Sequence, residues 1–173
     1  MTYPKQHIAE TLLSLPHIEK LSFEKDAHQY FFTNNNTTTE LFGITSLISE
    51  FKNPFDRENI SKWVASRDGI SQTEVLAQWD KTRDDSIEYG NGVHDSFEQL
   101  ITNGVVDTAY ERECSLLTHA IDLIGVTPAL AEYLVLEERI MRVSAIDIIG
   151  VNEKDELVIL DIKTPAKGIE SEA

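Results

Sequence analysis

A single cysteine, Cys114, stands in a chain of 173 residues. That excludes an internal disulfide and any zinc site built from cysteines. Long apolar runs are missing too. Met1 to Lys20 mixes Lys5, His7, Glu10 and Pro16 into its apolar residues, which leaves no signal-peptide core. No later stretch approaches the roughly 20 apolar residues that a membrane span needs. These absences point to a cytoplasmic protein with no membrane partner.

Basic residues are scarce. Fifteen Lys plus Arg face thirty Asp plus Glu, a net charge of −15. Phosphate neutralisation supplies much of the affinity for nucleic acid, so the balance counts against tight, autonomous DNA binding. A solvated acidic surface accounts for most of the excess, and a metal site for a few carboxylates. Repeats, low-complexity domains and long linkers are also absent. With 41% hydrophobic and 26% charged residues, the composition suits one globular domain over residues 1–173.

What is present reads as helices leading into strands. His28 to Phe32 and Leu41 to Thr45 flank the polar run Asn34 to Thr39, the pattern of a hairpin. Thr45 or Ser46 is placed to cap a short helix through Phe51 that Pro54 ends. Ile60, Trp63 and Val64 have helical spacing. Ser71-Gln72-Thr73-Glu74 is a capping-box pattern with Val75, Leu76 and Trp79 behind it, and both tryptophans are expected as core anchors. Gly90-Asn91-Gly92 reads as a break before a second helix, whose buried stripe is Val93, Phe97, Leu100 and Ile101 and whose stop is Asn103-Gly104. Another helix is expected from about Ala109 to Ile124, ended by Gly125. After Pro128 come strands over Tyr133 to Leu136, Val143 to Ile149 and Leu157 to Thr164. The fold class expected is α/β, with a mostly antiparallel or mixed sheet.

The last two strands carry the chemistry. Asp161 and Lys163 share one strand face and Ile162 the other. A hairpin turning at Lys154 pairs positions that sum to 308, which sets Asp147 opposite Asp161. Like charges so placed repel, and a divalent cation removes the penalty. Lys163 beside them would position an attacking water. His94 and Glu98, four apart, share a helical face.

In this order, Gly90-Asn91-Gly92-Val93-His94, Glu98, Glu132, Ile146-Asp147 and Asp161-Ile162-Lys163-Thr164 resemble the RecB-like branch of the PD-(D/E)XK nucleases, itself similar to lambda-type exonucleases. The likeness spans roughly residues 23 to 164, and the Tyr30-to-Thr45 hairpin and the Trp79-to-Gly90 helix are similar to phage-encoded members. It implies a restriction-endonuclease-like core, Mg²⁺ or Mn²⁺ as cofactor, and DNA as substrate, with the host cytoplasm as the compartment of a phage protein. It implies His94, Asp147, Asp161 and the Ile162 carbonyl as metal ligands, Lys163 as the catalytic lysine, Glu132 as an additional acid and Glu98 in support. Ser144 stands where relatives usually carry Gly. Ten residues follow Lys163, where relatives continue to a Gln-x-x-x-Tyr helix, so a C-terminal segment or protein partner is expected to complete the fold. The function implied is a metal-dependent DNA nuclease, an exonuclease by likeness. The alternatives are a catalytically degenerate, acidic protein-interaction module and a phosphodiesterase with a substrate other than DNA.

Overall fold

In the computed structural model, which describes residues 4–15, 18–24, 27 and 29–164, Asn35 and Asn36 both adopt positive φ, 48° and 61°. Two such residues make the type I′ turn whose twist matches paired strands. They join β2 (Gln29–Asn34) to β3 (Thr37–Gly43), with Asn34 opposite Thr37. The expected hairpin is present, but its break is only two residues long and Thr37 to Thr39 are strand. His28 lies outside the described residues.

The chain is mixed α/β. Besides that hairpin it contains α1 (Pro4–Leu13), β1 (Leu21–Glu24), α2 (Ile44–Ser49), α3 (Arg57–Asp68), α4 (Gln72–Asn103), α5 (Glu111–Leu123), β4 (Val126–Glu137), β5 (Arg142–Asn152) and β6 (Leu157–Leu160). None of the described helices is long and apolar enough to cross a membrane. The chain divides into two compact units, Met1–Lys52 with Ser96–Ile162, and Asn53–Asp95 with Lys163–Ala173.

All six strands among the described residues belong to the first unit. They form a sheet of order β1-β2-β3-β5-β4 with β6 also on β5. Every pairing is antiparallel except the short parallel contact of β3 with β5. One core cluster gathers Phe97, Cys114, Ile121, Val126, Ile148 and Ile162; a second gathers Tyr30, Leu41 and Val143. In the second, the Phe23 and Tyr30 rings stack at 4.6 Å. In the second unit, Asp56 caps α3 by accepting the Asn59 N–H.

Several expectations are corrected. Gly90-Asn91-Gly92 does not break the chain, because α4 runs 32 residues straight through it. A helical glycine costs only about 1 kcal/mol, and a Cβ at Gly90 would meet the Thr164 hydroxyl at 3.1 Å, so close packing favours glycine there. Trp63 is not a core anchor: it is 61% exposed, with the Arg67 guanidinium over its ring. Trp79 is half-buried against Phe55. Neither Thr45 nor Ser46 caps α2. The N-cap is Gly43, and the Ser46 hydroxyl donates to the Gly43 carbonyl instead of accepting.

A 3₁₀ turn, Thr108–Tyr110, precedes α5, which Gly125 ends in the left-handed conformation. β4 begins before Pro128, which is tolerated because β4 is an edge strand. β6 stops at Leu160, four residues short of the expected end, for a reason that lies in the site.

Two local expectations hold. The Ser71–Glu74 capping box forms reciprocally: the Ser71 N–H donates to Glu74 at 2.8 Å, and the Glu74 N–H to the Ser71 hydroxyl at 3.2 Å. Val93 and Phe97 are buried, and Gly104 terminates α4 with its N–H on the Leu100 carbonyl.

Candidate metal centre

β5 is the strand around which the site is arranged. Along one edge it pairs with β4 from Arg142 to Asn152, with a lapse at Asp147. On the other edge β3 meets it only at Arg142 and Val143, and β6 only from Ile148 to Val151. Between these two partners, from Ser144 to Asp147, that edge of β5 pairs with no described strand. Asp147 is the last residue of the gap.

The β5–β6 register runs Val151↔Leu157 to Ile148↔Leu160, each pair summing to 308 as expected. The next step would set Asp147 against Asp161, but the ladder ends. The Asp147 Oδ2 instead accepts the Ile162 N–H at 2.6 Å. A carboxylate accepts a backbone N–H more strongly than a carbonyl does, so the side chain captures the donor and the chain leaves the sheet. Ile162 is buried, while Asp161 and Lys163 on either side of it are exposed. The alternation expected there is kept without a strand.

Glu132 enters from β4. Its neighbours pair as Ala131↔Ile148 and Tyr133↔Ile146, so Glu132 stands opposite Asp147, at the one step between them where the ladder is interrupted. Its φ is +48°, a left-handed conformation that a non-glycine residue adopts at a cost of about 1–3 kcal/mol. The Glu132 charge reaches the second core cluster: burial, and then the Glu132 carboxylate, hold the Tyr30 phenol above its usual range.

His94, Glu132 and Asp147, all half-buried, each offer one ligand atom, and the three atoms lie within 4.8 Å of one another. Among the described residues this is the one group of three metal-ligating types so gathered. It contains His94 and Asp147 as anticipated. Its second carboxylate is Glu132, where the sequence pairing pointed to Asp161. Glu98 lies one turn beyond His94 on α4 and is half-buried.

The placement of Glu132 was readable in principle. A β4–β5 hairpin turning at Arg139-Ile140 pairs positions that sum to 279, and Glu132 with Asp147 sums to 279. Two carboxylates facing across neighbouring strands repel. With an imidazole beside them they make an oxygen-and-nitrogen donor set suited to a divalent cation.

Comparison with family models, with curated proteins and with solved structures finds no match to this chain.

Proposed function

We propose that this chain is a metal-dependent phosphodiesterase acting on DNA, built on a restriction-endonuclease-like core of the PD-(D/E)XK type. The observation that supports it is the gathering of Glu132, Asp147 and His94 in a sheet otherwise rich in Ile, Leu and Val. Hard carboxylate oxygens with one imidazole nitrogen suit Mg²⁺ or Mn²⁺, and these three residues would hold the ion. Asp161 and the Ile162 carbonyl are further ligands by resemblance.

When bound, such an ion neutralises phosphate charge and makes a coordinated water more acidic. The chain's own residues do the rest. The Ile162 N–H fixes the Asp147 carboxylate in one orientation, so little rearrangement precedes reaction. Lys163 carries its positive charge to the attacking water and holds it by hydrogen bonding. Glu98 positions His94 from the next turn of α4. The net charge of −15 leaves DNA affinity weak, so a protein partner supplies contact surface.

The acidity also favours a second reading, a catalytically degenerate interaction module. Incubation with single- and double-stranded DNA in Mg²⁺ or Mn²⁺ separates the two. Cleavage that Asp147→Ala, Asp161→Ala and Lys163→Ala each abolish, in chains whose circular dichroism is unchanged, supports the enzyme. No cleavage with either ion supports the module.

A further inference from the structure

Arg57, Arg67, Arg83 and Arg139 each pair with a carboxylate, and Arg112 is exposed. Arg142 fits neither pattern. It is half-buried, and its Nε is shielded from solvent without a hydrogen-bond partner. Its ladder neighbour on β4 is Glu137, but that carboxylate is taken by Arg139 at 2.7 Å. The guanidinium lies 5.3 Å from the centroid of the Phe42 ring, its neighbour on β3. Phe42 is 59% exposed, so much of the ring is open to solvent.

In a chain with twice as many acidic as basic residues, a half-buried guanidinium with no carboxylate partner among the described residues and with its Nε lacking a hydrogen bond calls for an anion. An open aromatic ring beside it calls for a flat apolar group. One ligand class carries both at that spacing. We propose that Phe42 and Arg142 form a binding site for one unpaired nucleotide of a single strand, with the base stacked on Phe42 and the phosphate on Arg142. A duplex keeps its bases stacked inside, so the ring has nothing to take from it.

The site also has a place relative to Asp147, and that placement rests on the phosphodiesterase reading. Arg142 and Asp147 are five steps apart along β5, about 16 Å of strand. Five is an odd number, so the two side chains serve opposite faces. The edge from Ser144 to Asp147, which pairs with no described strand on that side, lies between them.

The test is anisotropy of labelled oligo-dT and oligo-rU at low salt in EDTA, with the whole chain. Phe42→Ala and Arg142→Gln should each weaken binding about tenfold, the size expected for loss of one stacked base. Phe42→Trp, which keeps a ring, should bind at least as well as the parent. Thermal melts verify that each variant folds. The proposal is overturned if the parent chain binds neither oligonucleotide, if the two loss variants bind unchanged, or if Phe42→Trp binds as poorly as Phe42→Ala. Displacement of the oligonucleotide by an acidic, tyrosine-bearing polypeptide as readily as by unlabelled oligo-dT overturns it too, in favour of a protein partner. Mn²⁺ stabilisation is read separately. Its absence counts against the metal site and leaves the oligonucleotide result standing.

Discussion

Glu132 stands opposite Asp147 on adjacent strands, at a step where the β4–β5 ladder lapses and Glu132 turns to φ +48°. On either side of that step apolar side chains face one another, Ala131 opposite Ile148 and Tyr133 opposite Ile146. Here two carboxylates do, one of them on a strained backbone, and the other is anchored by the Ile162 N–H at 2.6 Å. Strain and like-charge repulsion at one point are both costs to folding, and a ligand that removes the repulsion gives the arrangement a purpose.

The strain is measurable by itself. Glycine adopts positive φ freely, whereas alanine there costs about 1–2 kcal/mol more. Both substitutions remove the carboxylate, so their difference isolates the backbone. Glu132→Gly should be more stable than Glu132→Ala by about 1 kcal/mol in urea unfolding. Equal stability would mean that position 132 is not held in the left-handed region.

Tyr30 reports the charge. Its phenol is raised above the ordinary value of 10.0 by burial first and by Glu132 second. A raised folded-state pKa contributes stability that is complete below pH 10 and is lost as pH climbs through the folded value. Removing the charge with Glu132→Gln should lower the Tyr30 titration point, seen by ring NMR, and move alkaline unfolding to higher pH, because less stability is lost when the phenol ionises. Tyr133, raised by burial alone, should titrate where it did. A Tyr30 curve indifferent to Glu132→Gln would mean that the carboxylate does not sense the second core cluster.

The helix that carries His94 begins with the Ser71–Glu74 capping box, where hydrogen bonds from the Ser71 side chain and then its backbone hold the Glu74 carboxyl below its usual range. Ser71→Ala should cost about 1 kcal/mol. The Glu74 contribution is present above about pH 4.5 and fades as pH falls through the depressed value, so parent and Glu74→Gln should converge in acid. A constant difference between them from neutral to acid pH would contradict the capping role.

Local signals in the sequence proved readable where one short-range rule decides the outcome. The polar centre Asn152 to Asp155 set the β5–β6 register, because the Asn152 side chain accepts from the Lys154 and Glu156 N–H groups and closes the turn. Asn35-Asn36 set the first hairpin because both take the positive φ that its turn requires. Where two effects compete, the pattern misled. Glycines at 90 and 92 read as a break, yet two losses of about 1 kcal/mol each do not outweigh a helix of 32 residues. The stripe containing Trp63 is helical, but its exposure is decided by packing between elements. Asp147 and His94 were singled out from the residues and their resemblance, and the fold brings them within reach of each other. The closeness of Glu132 to Asp147 depended on the full length of β4, which Pro128 obscures.

The most direct measurement is the melting temperature with and without Mn²⁺. A cation that binds only the folded chain stabilises it by about 2.7 kcal/mol at a hundredfold excess over its dissociation constant. Millimolar Mn²⁺ should raise the parent's melting temperature, with Mg²⁺ raising it less because imidazole suits Mn²⁺ better. Asp147→Asn and Glu132→Gln should each remove most of that rise, His94→Ala should reduce it, and His119→Ala should leave it intact. A Mn²⁺ response that is absent in the parent, or that survives both Asp147→Asn and Glu132→Gln undiminished, would contradict a metal centre at these residues.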